Sequence, residues 1–138
     1  MILKSSLQSD YTVTDSFVNI TGLSITIHED GYYDISGNVT CNAIDSDSTQ
    51  ATAVIKLAIN GTYILASGGI IIHQDGANAN PLIAVIPINN KLYLKKDDIV
   101  TVQAKMATGD NCTVQATNAS YATYIEAINL TKLARGGM

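Results

Sequence analysis

Apolar and polar residues alternate at a period of two through most of the chain. Leu23, Ile25 and Ile27 alternate with Ser24 and Thr26 before a turn at Glu29-Asp30-Gly31, which is the pattern of a half-buried strand and its exit. The longest run follows, with Tyr33, Ile35, Gly37, Val39 and Cys41 set against Tyr32, Asp34, Ser36, Asn38, Thr40 and Asn42. One face of that strand is buried and the other meets water or an interface. After a polar loop at 45–50, Ala53, Ile55, Leu57 and Ile59 alternate with Val54, Lys56 and Ala58, and Asn60-Gly61 before Thr62-Tyr63-Ile64-Leu65 predicts a tight hairpin. Ile70 to Ile72 form a short apolar run between Gly68-Gly69 and a loop at 74–80, and in the strand predicted over Leu82 to Ile88, Pro87 suits an edge or a bulge. Leu92 and Leu94 lead into a turn at Lys95-Lys96-Asp97-Asp98, and Ile99 to Met106, Cys112 to Thr117 and Tyr121 to Leu130 supply the last strands. The pattern predicts an all-β, two-sheet antiparallel sandwich of roughly eight to ten short strands without a helix, either a jelly roll or an immunoglobulin-like arrangement.

Composition supports this reading. Of 138 residues, 40 are Ile, Val or Thr, and 46% are hydrophobic against 14% charged, so a packed core is affordable and disorder is not expected. The length suits one domain over 11–130, with 1–10 read as an N-terminal arm and a candidate attachment segment, and 131–138 as a flexible tail ending in Gly136-Gly137-Met138. A net charge of −4 argues against a nucleic-acid partner, and the one local basic pair, Lys95-Lys96, is followed at once by Asp97-Asp98. No apolar run approaches the roughly 20 residues that span a bilayer, so no membrane insertion is expected. No basic and apolar leader opens the sequence, which predicts synthesis and retention in a cytoplasm before assembly.

Candidate chemistry is sparse. Cys41 and Cys112 are too few for a disulfide framework and read as free thiols. A nucleophilic site can be assembled only from Cys112, His73 and Asp75, or from Ser67 beside Gly68-Gly69, and neither set lies in a catalytic motif. His28 with Glu29-Asp30 and His73 with Asp75 have unspecific spacing for a metal, and Asp45-Ser46-Asp47-Ser48 lacks the glycine and closing glutamate of a calcium loop. No catalytic residue, cofactor or metal is therefore expected. Asn-x-Ser/Thr triplets at Asn19, Asn38, Asn60, Asn111, Asn118 and Asn129 read as products of high Asn and Thr usage on strand faces rather than as glycosylation sites. Tyrosine is the main aromatic, with seven Tyr, one Phe and no Trp; Tyr32, Tyr63, Tyr93, Tyr121 and Tyr124 are candidates for sugar stacking or subunit contact, subunit contact being preferred, with Tyr121 and Tyr124 as the contacts to test.

Several segments resemble the trimeric jelly roll shared by the globular head of complement component one-q and tumour necrosis factor. Gly31-Tyr32-Tyr33-Asp34-Ile35-Ser36-Gly37 is similar to the family's Gly-x-Tyr strand opening, and Lys56-Leu57-Ala58-Ile59-Asn60-Gly61 to its hairpin. Leu92-Tyr93-Leu94-Lys95-Lys96-Asp97-Asp98-Ile99-Val100 matches its Leu-x-Leu, turn and Gly-Asp-x-Val signature, except that Asp97 stands where glycine is usual; Tyr121 to Ile128 resembles its closing strand without the usual Phe-x-Gly. The resemblance implies structural roles for Gly31, Tyr33, Asn60, Gly61 and Asp98. It also implies a homotrimer whose surplus apolar residues meet around the threefold axis, in keeping with a mean hydropathy of +0.17. Similar modules occur on phage particles, so the expected function is a non-enzymatic viral structural protein at the virion surface: a capsid decoration, head-fibre or fibre-tip module that touches other virion proteins and host-surface glycan through loops such as 45–50 and 74–80. The alternative is a lectin-like or complement-like module that binds carbohydrate or protein and has no capsid role. A small hydrolase relying on Cys112 is a third class.

Overall fold

A computed structural model describes residues 2–44, 51–64, 67–73, 82–108, 111–118 and 121–134. The described residues form a sandwich of two antiparallel sheets. In the first, β1 (Ile2–Ser6) pairs with β13 (Tyr124–Asn129), and β13 pairs with the long β4 (Gly31–Ile44). Farther along the same edge β4 pairs with β10 (Asn111–Val114), which carries β2 (Tyr11–Thr12), while the other edge of β4 holds β8 (Leu82–Leu94) along thirteen partnered positions. The second sheet runs β3 (Val18–Thr26), β9 (Ile99–Thr108), β5 (Ala51–Ile59), with β6 (Thr62–Tyr63) and β7 (Gly69–His73) both on β5. A small ribbon of β11 (Thr117–Asn118) and β12 (Tyr121–Ala122) completes the strands.

The core lies where the alternation places it. Tyr33, Ile35, Val39 and Cys41 of β4 and Ile125 and Ala127 of β13 face Leu23 and Ile25 of β3, Ile55 and Leu57 of β5, and Val100 and Val102 of β9, all buried. The jelly-roll class expected from the sequence is the one observed. Pro87 sits on β8, which among the described residues pairs only with β4, so the missing N–H interrupts no central ladder.

The structure corrects three expectations at the margins. Residues 2–6 are not a free arm: Ile2 to Ser6 add a strand to β13 in register with Ile128 to Tyr124, because Leu3 packs against the core and Leu7 beyond it is buried. Leu130–Ala134 form a short helix, α1, where flexible tail and no helix were expected. Asn129 accepts a hydrogen bond from the Lys132 amide at 3.0 Å and so caps that turn. The two-residue strands β2, β6, β11 and β12 raise the count among described residues to thirteen, since pairs so short carry no periodicity to read.

One turn assembly ties the two hairpin ends together. Asn60 and Gly61 have φ of 51° and 86°, the positive values that a two-residue hairpin turn of type I′ requires at both central positions. The Asn60 side chain then reaches across: its amide donates to Asp98 Oδ1 at 2.9 Å and its carbonyl accepts from the Ile99 N–H at 2.9 Å. Asp98 Oδ2 accepts from the Lys95 N–H at 2.8 Å. These donors hold the Asp98 carboxyl below the usual carboxylate range, the Lys95 amide first and the Asn60 amide second. Asp97 beside it has φ of 75°, a left-handed value that glycine adopts without strain and that aspartate adopts here.

Candidate functional site

Two surfaces are built from the sheet of β1, β13, β4 and β8. The first is its outward face, made by the polar half of the β4 alternation. The strand register lines up Tyr93 with Tyr32; Lys91, Asp34, Ile128 and Ile2; Asn89, Ser36, Glu126 and Lys4; and Pro87, Asn38, Tyr124 and Ser6. Large apolar groups are left in water on this face: Ile2 is 60% exposed, Tyr32 58% and Tyr93 51%. The rings of Tyr32 and Tyr93 meet edge to face at 5.3 Å between centroids, an arrangement aromatic quadrupoles favour.

The same face holds polar atoms in want of partners. Asp34 Oδ1, Thr40 Oγ1 and Asn42 Oδ1 are shielded from solvent without a hydrogen bond, and all three belong to the outward positions of β4. A buried acceptor without a donor costs about 1–3 kcal/mol, and these oxygens, closed off within the protomer, bear that cost whatever covers the face. Tyr124 is half-buried here with the Lys4 ammonium 4.7 Å from its ring centre. The side chain of Tyr121, the other candidate contact, lies outside the described residues, as do the loops 45–50 and 74–80.

The second surface is a pocket of about 180 Å³ lined by Leu3, His28, Glu29, Tyr33, Asn129 and Lys132. Tyr33 is buried because it belongs to the inward set of β4, and its hydroxyl finds the partner a buried phenol needs by donating to the Glu29 carbonyl at 2.8 Å. Asn129 Nδ2 donates to that hydroxyl at 3.2 Å. Burial pushes the Tyr33 phenol up, the Asn129 hydrogen bond opposes this, and the Glu29 charge adds to the rise. At the rim the Lys132 ammonium stands 3.3 Å from Glu29 Oε1. The Tyr32 N–H donates to Thr131 Oγ1 at 2.9 Å, which fastens α1 to the start of β4. Gly31 adjoins this cluster: a Cβ there would lie 2.8 Å from Asn129 Oδ1, so the buried amide and the glycine require each other.

The residues weighed for chemistry separate. Ser67 is buried, with its hydroxyl donating to the Ile64 carbonyl at 2.6 Å and accepting from the Leu57 N–H at 2.9 Å, so it braces backbone. Cys41 and Cys112 are free, buried and neighbours across the β4–β10 pairing, and the hydrogen bond to Cys112, with burial, pushes the Cys41 thiol far up. The side chain of His73, with Asp75 and the 45–48 loop, lies outside the described residues. Among the described residues no three His, Cys, Asp or Glu side chains converge on a metal position. Asn129 was visible in the sequence only as one of six Asn-x-Ser/Thr triplets; its place at the junction of Gly31, Tyr33 and α1 had no local signal.

No protein-family model and no curated protein matches the sequence. Among solved structures, Eiger TNF from S. frugiperda is similar, with a TM-score of 0.57 at 10% identity, covering 94% of this chain and 91% of that one. Murine APRIL gives a TM-score of 0.48 at 11% identity, over 93% of this chain and 97% of that one. The chain is thus a two-sheet jelly roll. Its likeness to Eiger makes that fold TNF-like.

Proposed function

We propose that the chain is a non-enzymatic structural protein of a phage-like particle, a homotrimeric jelly roll shown on the virion surface as a capsid decoration, head-fibre or fibre-tip module. The outward face of the β1–β13–β4–β8 sheet carries the reading: exposed Tyr32, Tyr93 and Ile2 lie in one surface. A second copy supplies the apolar area that covers these side chains, and closed symmetry lets identical copies do so. The particle role is supported by the family resemblance of the Gly31 to Gly37 and Leu92 to Val100 segments, and by an acidic all-β body suited to an exposed shell. Partners are then a second and third copy, a virion protein beneath, and host-surface glycan.

The test is location. Antibody against the chain should label purified particles, and the chain should travel with them through a density gradient. A chain absent from every particle fraction contradicts the role. The second reading, a carbohydrate- or protein-binding module with no capsid role, is favoured by the pocket at His28, Glu29 and Lys132, and binding on a glycan array by a chain absent from particles would establish it.

A further inference from the structure

The geometry points to the pocket between the β3–β4 connection and α1 as a binding site for one neutral monosaccharide unit, gripped through adjacent hydroxyl groups. It rests on the glycan-contact part of the function proposed above and is independent of the trimer and of the particle. Size is the first argument. A volume of about 180 Å³ leaves room for a single sugar ring and lies below the roughly 300–1,000 Å³ of pockets for larger ligands.

Charge is the second. Glu29 and Lys132 place a carboxylate and an ammonium 3.3 Å apart at the rim, with side chains 51% and 40% exposed. The pair is neutral as a unit, so it selects no ion of either sign; an incoming anion would be attracted by Lys132 and repelled by Glu29 at nearly the same distance. Neighbouring sugar hydroxyls suit it, because each can donate to the carboxylate and accept from the ammonium. Because both groups are already half exposed, a sugar replaces water on them at small desolvation cost.

The pocket floor is the third. Asn129 is buried and carries two N–H donors, one of which is spent on the Tyr33 hydroxyl at 3.2 Å, while its carbonyl is held by the Lys132 N–H. The amide plane is thereby fixed in the pocket lining. Leu3 and Tyr33 supply apolar surface for the C–H face of a sugar, and His28 at the exposed rim adds a further polar contact.

The experiment is a heteronuclear NMR titration of the full chain with glucose, galactose, mannose and N-acetylglucosamine, with acetate and glycine run alongside. At least one sugar should give saturable shifts centred on His28, Glu29, Asn129 and Lys132. Glu29→Gln, a rim change that leaves the core intact, should weaken it about tenfold or more while the rest of the spectrum is unchanged. Saturable shifts elsewhere, equal response to acetate or glycine, or unchanged affinity in Glu29→Gln would each overturn the site. Glycan-array binding that survives Glu29→Gln would remove the pocket and leave glycan contact standing, whereas silence toward every sugar in both assays would remove both.

Discussion

Replacing Thr123 by valine tests how the first sheet changes partners along β4. Thr123 is fully buried at the point where the edge of β4 passes from β13 to β10. Its hydroxyl accepts from the Thr40 N–H at 3.0 Å and donates to the Gln115 carbonyl at 2.6 Å, and its own carbonyl accepts from the Leu7 N–H at 2.9 Å. The side chain thus stands in for the ladder bond that β4 loses between its two partners. Valine has nearly the same shape but no hydroxyl, so the Thr40 N–H is stranded in the core and the Gln115 carbonyl loses the threonine hydroxyl. Leaving a buried donor unsatisfied costs about 1–3 kcal/mol, and loss of the second bond adds roughly 1 kcal/mol. The expected destabilisation is about 2–4 kcal/mol. Thr123→Ser keeps both bonds and loses one methyl, at about 1 kcal/mol. Urea melts of the three proteins at one protein concentration, as association requires, should rank wild type, serine, valine. Valine equal to or better than serine would refute the bridging role of the hydroxyl.

Asp97→Gly should leave stability unchanged or raise it by up to about 1 kcal/mol in a thermal melt, because relief of the left-handed strain, about 1–2 kcal/mol and less for aspartate, is opposed by glycine's greater unfolded freedom of roughly 0.5–1 kcal/mol; a clear loss would mean the Asp97 side chain holds the turn. The Asp98 carboxyl is depressed in the folded state, so the unfolded chain takes up its proton first as pH falls. Its stabilisation is therefore present above the ordinary carboxylate range and is lost as pH falls through that range toward the folded value. Asp98→Asn should be less stable at neutral pH and show a shallower acid limb in melts recorded across this range, and an unchanged limb would contradict the staple. Tyr124→Asp sets a carboxylate beside Lys4 on the outward face and should reduce the native mass on size exclusion without lowering the protomer's circular dichroism; an unaltered mass would remove Tyr124 from the interface.

Where one period-two run met one buried face, the fold was readable from residue types. Tyr33, Ile35, Val39 and Cys41 point inward as their spacing predicts, and Asn60-Gly61 turns where its φ preferences demand. β3 shows why other parts were harder. Its buried residues fall at Ile20, Leu23 and Ile25, and the register with β9 shifts between Asn19 and Ser24, so the alternation breaks and only the portion from Leu23 onward reads as a strand. The ends lack a local signal for a different reason: β1 and α1 are held by distant groups, Ile128 to Tyr124 for one and Tyr32 and Glu29 for the other. The site suffered most from this. Tyr33 and Gly31 carried local signals, but their junction with Asn129 and Lys132 spans almost a hundred residues, and no periodicity records a contact of that separation. The apposition of Cys41 and Cys112 was hidden in the same way.

In the proposed trimer, further copies of the chain cover the outward face of the β1–β13–β4–β8 sheet. Light scattering after size exclusion tests it most directly, at several loading concentrations. Three chains of 14.6 kDa give about 44 kDa, and that mass, held on dilution, is the predicted result. A steady mass near 14.6 kDa would leave Ile2, Tyr32 and Tyr93 facing solvent and would contradict the trimer.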